Sequence, residues 1–317
     1  MDISFSDAID GFLLAKQVAG ASPYTIRNYS LSLSRFADFL GPEDPSLRRI
    51  TSREVRGFIR HMQTTEVTPA GVAPRKPLIL SSKTIRNIYM NLSSLWTWAV
   101  EEEYADENVV QAVTPPKPSK VTIDPLTEED ARRLLRTAGK NGRPQIIILR
   151  DKATIRFLLD TGVRASELCK LGVKDVDLKQ GAAYVVGKSR LNSGQGKGRM
   201  VYFGSRTRKA LWQYLTMREA TSDELLFVTL NGGEIDRRHL TTHLRRLGER
   251  ADVDNVYAHR FRHTFAINYL RNGGDIFTLQ RLLGHTSMDM VKRYLKIAQA
   301  DCETAHRKAG PVDNWQL

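Results

Sequence analysis

The sequence predicts a mainly α-helical protein of two domains with one small β-sheet. Three features predict this class: helical spacing of apolar residues over 1–112, three prolines in four positions within 113–125, and only two short β-prone segments further on. Because 317 residues can fill two hydrophobic cores and clustered prolines cannot continue a helix, we expect a linker at 113–125. The domains are then 1–112 and 126–300, followed by a tail at 301–317.

Two helices of the first domain begin with the same residues. Thr-Ile-Arg-Asn occurs at 25–28, after Ser22, and again at 84–87, after Ser81 and Ser82, and each serine can cap a helix. Both helices therefore place an arginine in their first turn, where free backbone N–H groups and the helix dipole favour an anion. The alternative is a pair of ordinary helices whose arginines point to water.

Caps and glycines mark the helices that follow the linker. Thr127, with acids directly after it, begins one helix. A second helix over 148–160 ends at Thr161-Gly162, so Arg164 falls in the turn before a helix that begins near Ala165. Further helices are predicted at 206–219, 237–250, 260–272, 276–283 and 287–300.

Two regions lack helical spacing. Residues 64–80, rich in Thr, Pro, Gly and Ala, predict a long loop in the first domain. Residues 182–187 and 199–204 are β-prone and are joined by a stretch rich in Gly, Ser and Lys. They predict a hairpin with a long basic tip.

The positive charge is concentrated in the second part of the chain. The net charge is +13, with 12 basic and 13 acidic residues in 1–115 and therefore 36 basic and 22 acidic residues in 116–317. This excess favours a polyanionic partner, although a charge run alone is as often a solvated surface. The two cysteines form no metal or disulfide pattern, and no apolar run approaches the ~18 residues of a membrane span. We expect an intracellular, cytoplasmic protein.

Five residues of the second domain could converge on one phosphate. His259 and Arg262 lie three apart at the start of a helix, so both can reach a single oxyanion. His285 and Tyr294 lie nine apart and would face opposite sides of one continuous helix. A fresh helix capped just after His285 would instead free Tyr294 to point toward the same site. Arg164, in its turn upstream, completes the set.

This set indicates phosphoryl transfer on a nucleic acid. A phosphodiester gains negative charge in its transition state, and arginine neutralises that charge with a planar fork that stays protonated. Arg164 and Arg262 suit that role. Tyr294 can attack the phosphorus and hold it covalently, which conserves the bond for rejoining.

The departing sugar 5′ oxygen requires a general acid. The hairpin tip offers Lys188 and Lys197, while His259 and His285 can donate to phosphate oxygens or take up the tyrosine proton. No carboxylate set for Mg²⁺ and no nucleotide-binding glycine loop accompanies these groups. We therefore expect neither a metal nor another cofactor.

With these residues the chain resembles the tyrosine site-specific recombinases, or phage integrase family, including the Xer-type resolvases. Residues 161–168 resemble the family's first arginine box, residues 259–266 its His-x-x-Arg box, and residues 283–287 with Tyr294 its last box. The resemblance extends over nearly the whole chain. It implies a SAM-like, helical core-binding domain at 1–112 and a mixed α/β catalytic domain of the DNA breaking-rejoining type, which clamp DNA from two sides.

The resemblance also implies the catalytic residues, which are Tyr294, Arg164, Arg262, His259, His285 and Lys188. The chain departs from the family at the hairpin tip, 189–198, which is several residues longer than usual. Because Gly-Lys-Gly-Arg at 196–199 imitates the lysine signature, Lys197 stays an alternative general acid. The tail at 301–317 would be an arm that docks on a neighbouring subunit, or else packs on its own domain.

The function implied is site-specific recombination through a 3′-phosphotyrosyl intermediate. The protein would act as a homotetramer on two double-stranded DNA sites with inverted repeats, starting from a monomer in solution, and would associate with the nucleoid. Relaxation of DNA in the manner of a type IB topoisomerase and a catalytically silent DNA-binding protein are the alternatives. Resolution, integration of a mobile element and chromosome-dimer resolution all stay open.

DNA contacts are expected from the two arginine-bearing helix starts and from the helix at 237–250. The candidate residues are Arg27, Lys83, Arg86, Asn87, Arg237, Arg238, Arg245 and Arg246, with His243 between the last two pairs. Lysines and arginines that neutralise phosphates should make binding sensitive to salt.

Overall fold

The computed structural model describes residues 2–67, 78–117, 123–140, 142–187, 198–220, 224–284 and 287–298. Over these residues the chain is mainly helical with small antiparallel sheets, as the sequence predicts. It divides into two compact units, Met1–Val121 and Thr122–Leu317. No helix in these ranges is both long enough and apolar enough to cross a membrane.

In its described part, the first unit contains four α-helices and a two-stranded antiparallel sheet. They are α1 (Phe5–Val18), α2 (Pro23–Leu40), α3 (Ser52–Thr64), β1 (Glu66–Val67), β2 (Leu78–Ile79) and α4 (Ser82–Glu101). Buried aromatic rings hold the helices together: the ring of Phe36 lies 5.3 Å from Phe5, 4.9 Å from Phe58 and 6.0 Å from Trp96, measured between centroids. Aromatic pairs at such distances stabilise a core beyond the burial of their area.

The repeated Thr-Ile-Arg-Asn segments form the same local structure twice. The Oγ of Ser22 accepts from the backbone N–H of Thr25 at 3.2 Å, and the Oγ of Ser81 accepts from that of Thr84 at 3.2 Å. Ser81 is therefore the cap of the second helix, and Ser82 is its first residue. The two caps are alike because a serine stands three residues before the threonine in both segments, and N-capping depends on residues within one turn.

The second unit contains eight helices and a three-stranded sheet in its described part. They are α5 (Glu128–Ala138), α6 (Gln145–Thr161), α7 (Ala165–Lys170), β3 (Val176–Asp177), β4 (Ala182–Val186), β5 (Gly198–Tyr202), α8 (Ser205–Arg218), α9 (Arg237–Ala251), α10 (Ala258–Arg271), α11 (Ile276–Leu283) and α12 (Asp289–Ala298). The strands are antiparallel in the order β3-β4-β5, and Ala183 of β4 pairs with Val201 of β5. Strand β3 was not predicted, because two residues are too few to show an alternating pattern.

The prediction of a loop over 64–80 is wrong at both ends, where the chain forms strands. Glu66 pairs with Ile79 and Val67 with Leu78, so that β1 and β2 form a short antiparallel ladder. Residues 118–122 of the expected linker and the tail at 301–317 lie outside the described residues.

Candidate active site

A left-handed glycine ends α6 and turns the chain toward the site. Gly162 has a φ of 60°, and a Cβ placed there would lie 2.5 Å from Cδ1 of Phe265. A side chain is therefore excluded by backbone conformation and by space. The turn exposes the Gly162 carbonyl, which accepts a hydrogen bond from Nη1 of Arg262 at 2.8 Å.

Three arginines from distant segments meet at the last turn of α11. Three successive carbonyls each accept from one of them: Leu282 from Nε of Arg199 at 2.6 Å, Leu283 from Nη2 of Arg262 at 2.6 Å, and Gly284 from Nη2 of Arg164 at 3.3 Å. The last carbonyls of a helix lack partners within the helix and carry the negative end of its dipole, so they attract cations. The C-terminus of α11 thereby gathers the arginine side chains.

A buried carboxylate joins two of these arginines. Glu167 accepts from Nη1 of Arg164 at 2.8 Å and, with both oxygens, from Nη1 and Nη2 of Arg199 at 2.9 Å each. Its side chain is 1% exposed. Burial alone would raise the pKa of Glu167, but the guanidiniums of Arg199 and Arg164 lower it to about 2. We name these four residues, Arg164, Glu167, Arg199 and Arg262, the arginine cluster.

Arg262 is the most deeply buried arginine of the cluster, with 1% of its surface exposed. Burial lowers its pKa to about 9, and repulsion from Arg164 and Arg199 acts in the same direction. The guanidinium still carries its charge at pH 7. Two backbone carbonyls hold it, and a buried arginine held in this way can grip phosphate oxygens without first reorganising.

Tyr294 lies on the inner face of α12. A fresh helix begins at Asp289 after α11 ends at Leu283, as predicted, so Tyr294 shares one buried face with Val291 and Ala298. Burial raises the pKa of Tyr294, while Arg262 and Arg164 act in the opposite direction. The phenol is thus protonated at neutral pH and lies within the electrostatic reach of the arginine cluster.

His263, which directly follows Arg262, contacts the phenol. Nδ1 of His263 lies 2.9 Å from the hydroxyl oxygen of Tyr294, within hydrogen-bond distance. The ring of His263 is half-buried, and its centroid lies 4.4 Å from that of the exposed His259. Burial lowers the pKa of His263 to about 4, with His259, Arg262 and Arg293 adding to the effect. The imidazole is therefore neutral at pH 7.

The structure brings together four of the predicted catalytic residues, and three lie outside the described residues. Arg164, Arg262 and Tyr294 lie around the end of α11, and His259 lies beside them in the first turn of α10. Outside the described residues are His285, Lys188 and Lys197.

The predicted DNA-contact residues lie on two helix starts and on α9. Their side chains are exposed except that of Arg86, which is half-buried; the set is Arg27, Lys83, Arg86, Asn87, Arg237, Arg238, Arg245 and Arg246. Arg245 pairs with Glu249 one turn later. The role of these residues in DNA binding stays a prediction.

His243 is not part of the exposed basic face of α9. Its Nε2 lies 3.0 Å from Oδ1 of Asp151, whose side chain is 1% exposed and also pairs with Arg143 and Arg150. Burial would raise the pKa of Asp151, but His243 and Arg150 lower it to about 2. His243 therefore anchors α9 to α6, and the expectation that it contacts DNA stays a prediction.

Sequence reasoning missed three residues of this site. Glu167 stands three residues after Arg164 at a helix start, which is the position of a capping glutamate, and this signal could have found it. His263 directly follows Arg262, but nothing in its spacing relates it to Tyr294 on another helix. Arg199 meets a carboxylate 32 residues away, and no local pattern reports such a pair.

Two protein-family models match the chain in consecutive segments. The model described as the phage integrase family matches residues 124–301, and the one described as the phage integrase N-terminal SAM-like domain matches residues 9–106. The second unit therefore contains the whole of the first match, and the first unit contains the whole of the second.

Known relatives match over nearly the whole length. Tyrosine recombinase XerC of Oceanobacillus iheyensis is 31% identical over 316 residues, which is 96% of this chain and 96% of the relative. A lambda integrase tetramer bound to a Holliday junction matches with a TM-score of 0.69 at 18% identity, covering 90% of this chain and 79% of that one. XerH bound to palindromic difH matches with a TM-score of 0.67 at 20% identity, covering 95% and 83%. These two structural likenesses show the fold.

Proposed function

Because the chain belongs to the phage integrase family of tyrosine recombinases, we propose that Tyr294 cleaves one DNA strand at a defined site and forms a 3′-phosphotyrosyl link. Attack by a 5′ hydroxyl of another strand on that link then rejoins the DNA. The enzyme needs no ATP in this scheme, since the ester to tyrosine conserves the phosphodiester bond.

One observation carries this proposal. Arg164 and Arg262 come from segments 98 residues apart, yet both donate to neighbouring carbonyls at the end of α11. The positive charges of both also lower the pKa of the Tyr294 phenol, against the burial that raises it. Two guanidiniums and one nucleophile around one point are what the pentavalent phosphorus of the transition state requires.

Side chains of the site can supply every proton transfer of the cleavage step. The phenolic oxygen of Tyr294 forms a bond to phosphorus and gives its proton to a neighbouring histidine, while the bond from phosphorus to the sugar 5′ oxygen breaks. The leaving oxygen takes a proton from a lysine of the hairpin tip. We propose Lys188 for this role, with Lys197 as the alternative, and His259 and His285 as donors to the phosphate oxygens.

A covalent trapping gel tests the nucleophile. Wild type on a nicked suicide duplex should give a protein–DNA adduct, because the short cleaved fragment diffuses away and prevents rejoining. Tyr294→Phe should bind the same duplex with unchanged affinity and give no adduct. An adduct that persists in Tyr294→Phe would reject the assignment, and the absence of adduct in wild type on cognate DNA would favour a catalytically silent protein.

A modified substrate distinguishes which of the two lysines is the general acid. Lys188→Ala and Lys197→Ala should differ, with only one of them slowing cleavage by about 10²-fold or more. A 5′-bridging phosphorothiolate, whose thiolate leaves without a proton, should restore cleavage in that variant alone. Equal and small effects would place the acid elsewhere.

We further propose that four copies act on two duplexes, each carrying an inverted-repeat site, in the cytoplasm at the nucleoid. The tetrameric lambda integrase and the XerH complex on a palindromic site, whose fold this chain shares, support this assembly. The exposed arginines of α9 and of the two capped helices are the proposed DNA contacts, and the tail at 301–317 is the proposed subunit arm. Mass photometry on a cognate duplex should give tetramers, and relaxation of plasmids by a monomer without a defined site would favour topoisomerase chemistry.

A further inference from the structure

We infer that His263, which is not among the catalytic residues predicted from the sequence, is the general base that takes the proton from Tyr294 during strand cleavage. The inference rests on the proposed function, since it concerns the first step of the same reaction. Its basis is a contact between Nδ1 of His263 and the hydroxyl oxygen of Tyr294 at 2.9 Å.

The geometry of this pair is that of a base and its nucleophile. A proton can transfer directly when the heavy atoms lie about 2.6–3.2 Å apart. His263 is on α10 and Tyr294 on α12, and the buried residues Ile267, Leu270 and Val291 belong to one apolar cluster with Tyr294. The cluster holds the two helices together and hence the distance between ring nitrogen and phenol.

The surroundings of His263 keep its lone pair available. His259 on α10 packs against its ring and Tyr294 on α12 contacts its Nδ1, while the positive charges of Arg262 on α10 and Arg293 on α12 act on it electrostatically. Three of these four are cationic or can become so, and with burial they favour the neutral imidazole. The phenol is protonated, because burial raises its pKa, so it can donate to Nδ1 while Nε2 carries the imidazole proton.

The arrival of DNA changes this balance in the direction that catalysis needs. A phosphodiester beside Arg262 brings a negative charge, which offsets the cations that disfavour imidazolium. As the phenolic oxygen bonds to phosphorus, its proton moves to Nδ1 and His263 becomes the imidazolium. When the strand is rejoined, the same proton returns to the phenolate that leaves phosphorus.

The test compares variants of His263 in single-turnover cleavage of the nicked suicide duplex. His263→Asn keeps a polar group near the position of Nδ1 but cannot take up a proton, and His263→Phe keeps the ring volume. We expect both variants to bind DNA as wild type does and to form the adduct about 10²–10⁴-fold more slowly. The matched control is His61→Asn, an exposed histidine of the first unit, with an unchanged rate.

Two further readouts separate a base from a residue that only positions the tyrosine. The rate of His263→Asn should rise about tenfold per pH unit above neutrality, because hydroxide must then remove the proton, whereas wild type should be nearly flat there. A ring-fluorinated tyrosine at position 294, which ionises at lower pH, should restore part of the rate of His263→Asn. The 5′-bridging phosphorothiolate should not restore it, because the leaving group is not at fault.

Three outcomes would overturn the inference. They are a His263→Asn rate equal to or above that of wild type, a pH profile parallel to wild type, and no gain from the fluorinated tyrosine in a folded variant. A missing adduct with every substrate, in wild type as well, would instead contradict the proposed function itself. Thermal unfolding of each variant confirms that the fold is kept.

Discussion

Replacing Glu167 by Gln should destabilise the second unit by about 3 kcal/mol at pH 7. The side chain is 1% exposed and accepts from Arg164 and Arg199. Its pKa falls from the ordinary 4.5 to about 2, and this difference of about 2.5 pKa units at about 1.36 kcal/mol each gives about 3 kcal/mol. The loss of one partner from a buried ion pair costs about 3–5 kcal/mol in other proteins, which agrees.

The sign of the pH dependence follows from the depressed pKa. The ionised Glu167 stabilises the fold fully above pH 4.5, and this contribution disappears as the pH falls toward about 2. The difference in unfolding free energy between wild type and Glu167→Gln should therefore shrink steadily between pH 5 and pH 3. Urea unfolding, monitored by hydrogen exchange of peptides from residues 124–298, measures this difference in the second unit.

A surface carboxylate supplies the control. Glu249 pairs with Arg245 on α9 with 57% of its side chain exposed, so Glu249→Gln should change the unfolding free energy by less than about 1 kcal/mol. The buried carboxylate does not stabilise the second unit through its charge if Glu167→Gln unfolds at the same urea concentration as wild type, or if the difference between them is the same at pH 7 and pH 3.

Three further predictions concern caps, turns and charge. Gly162→Ala should cost at least about 1–2 kcal/mol from its left-handed backbone, with more from the approach to Phe265, and an unchanged Tm would contradict this. Ser22→Ala and Ser81→Ala should each lower the unfolding free energy of the first unit by about 1 kcal/mol, equally because the caps are alike, and unequal losses in urea titrations would argue against shared geometry. Arg246→Gln should reduce the slope of log K against log salt by about 0.9 if it contacts a phosphate, and titrations with fluorescent DNA that give the wild-type slope would remove it from the interface.

Local sequence rules predicted the elements that depend on one turn of chain. Ser22, Thr127 and Gly162 mark helix ends because a cap or a left-handed terminator is determined by its immediate neighbours. The separation of α11 from α12 was predicted from the spacing of His285 and Tyr294, because residues nine apart on one continuous helix face opposite sides. The arginine cluster was predicted in part, since Arg164 and Arg262 were recognised from their motifs.

The partners of those arginines could not be predicted in the same way. The bidentate contact of Arg199 with Glu167 requires β5 to lie beside α7, which is decided by packing and not by either segment alone. His243 shows a signal that was overlooked. It stands three residues after Leu240, one before Leu244 and four before Leu247, which are buried residues of α9. His243 therefore lies along the buried stripe of the helix even though the helix is basic.

The arginine cluster combines two ways of holding a guanidinium, with opposite effects on charge. Backbone carbonyls hold Arg262 and leave its full charge, whereas the carboxylate of Glu167 cancels one charge of the pair Arg164 and Arg199. Three positive groups and one negative group leave two net positive charges for an incoming phosphodiester. Preorganised charge of this kind stabilises a transition state because it does not reorganise during the reaction. Glu167→Gln would raise the net charge to three, so the variant that loses stability should also bind DNA more tightly at low salt.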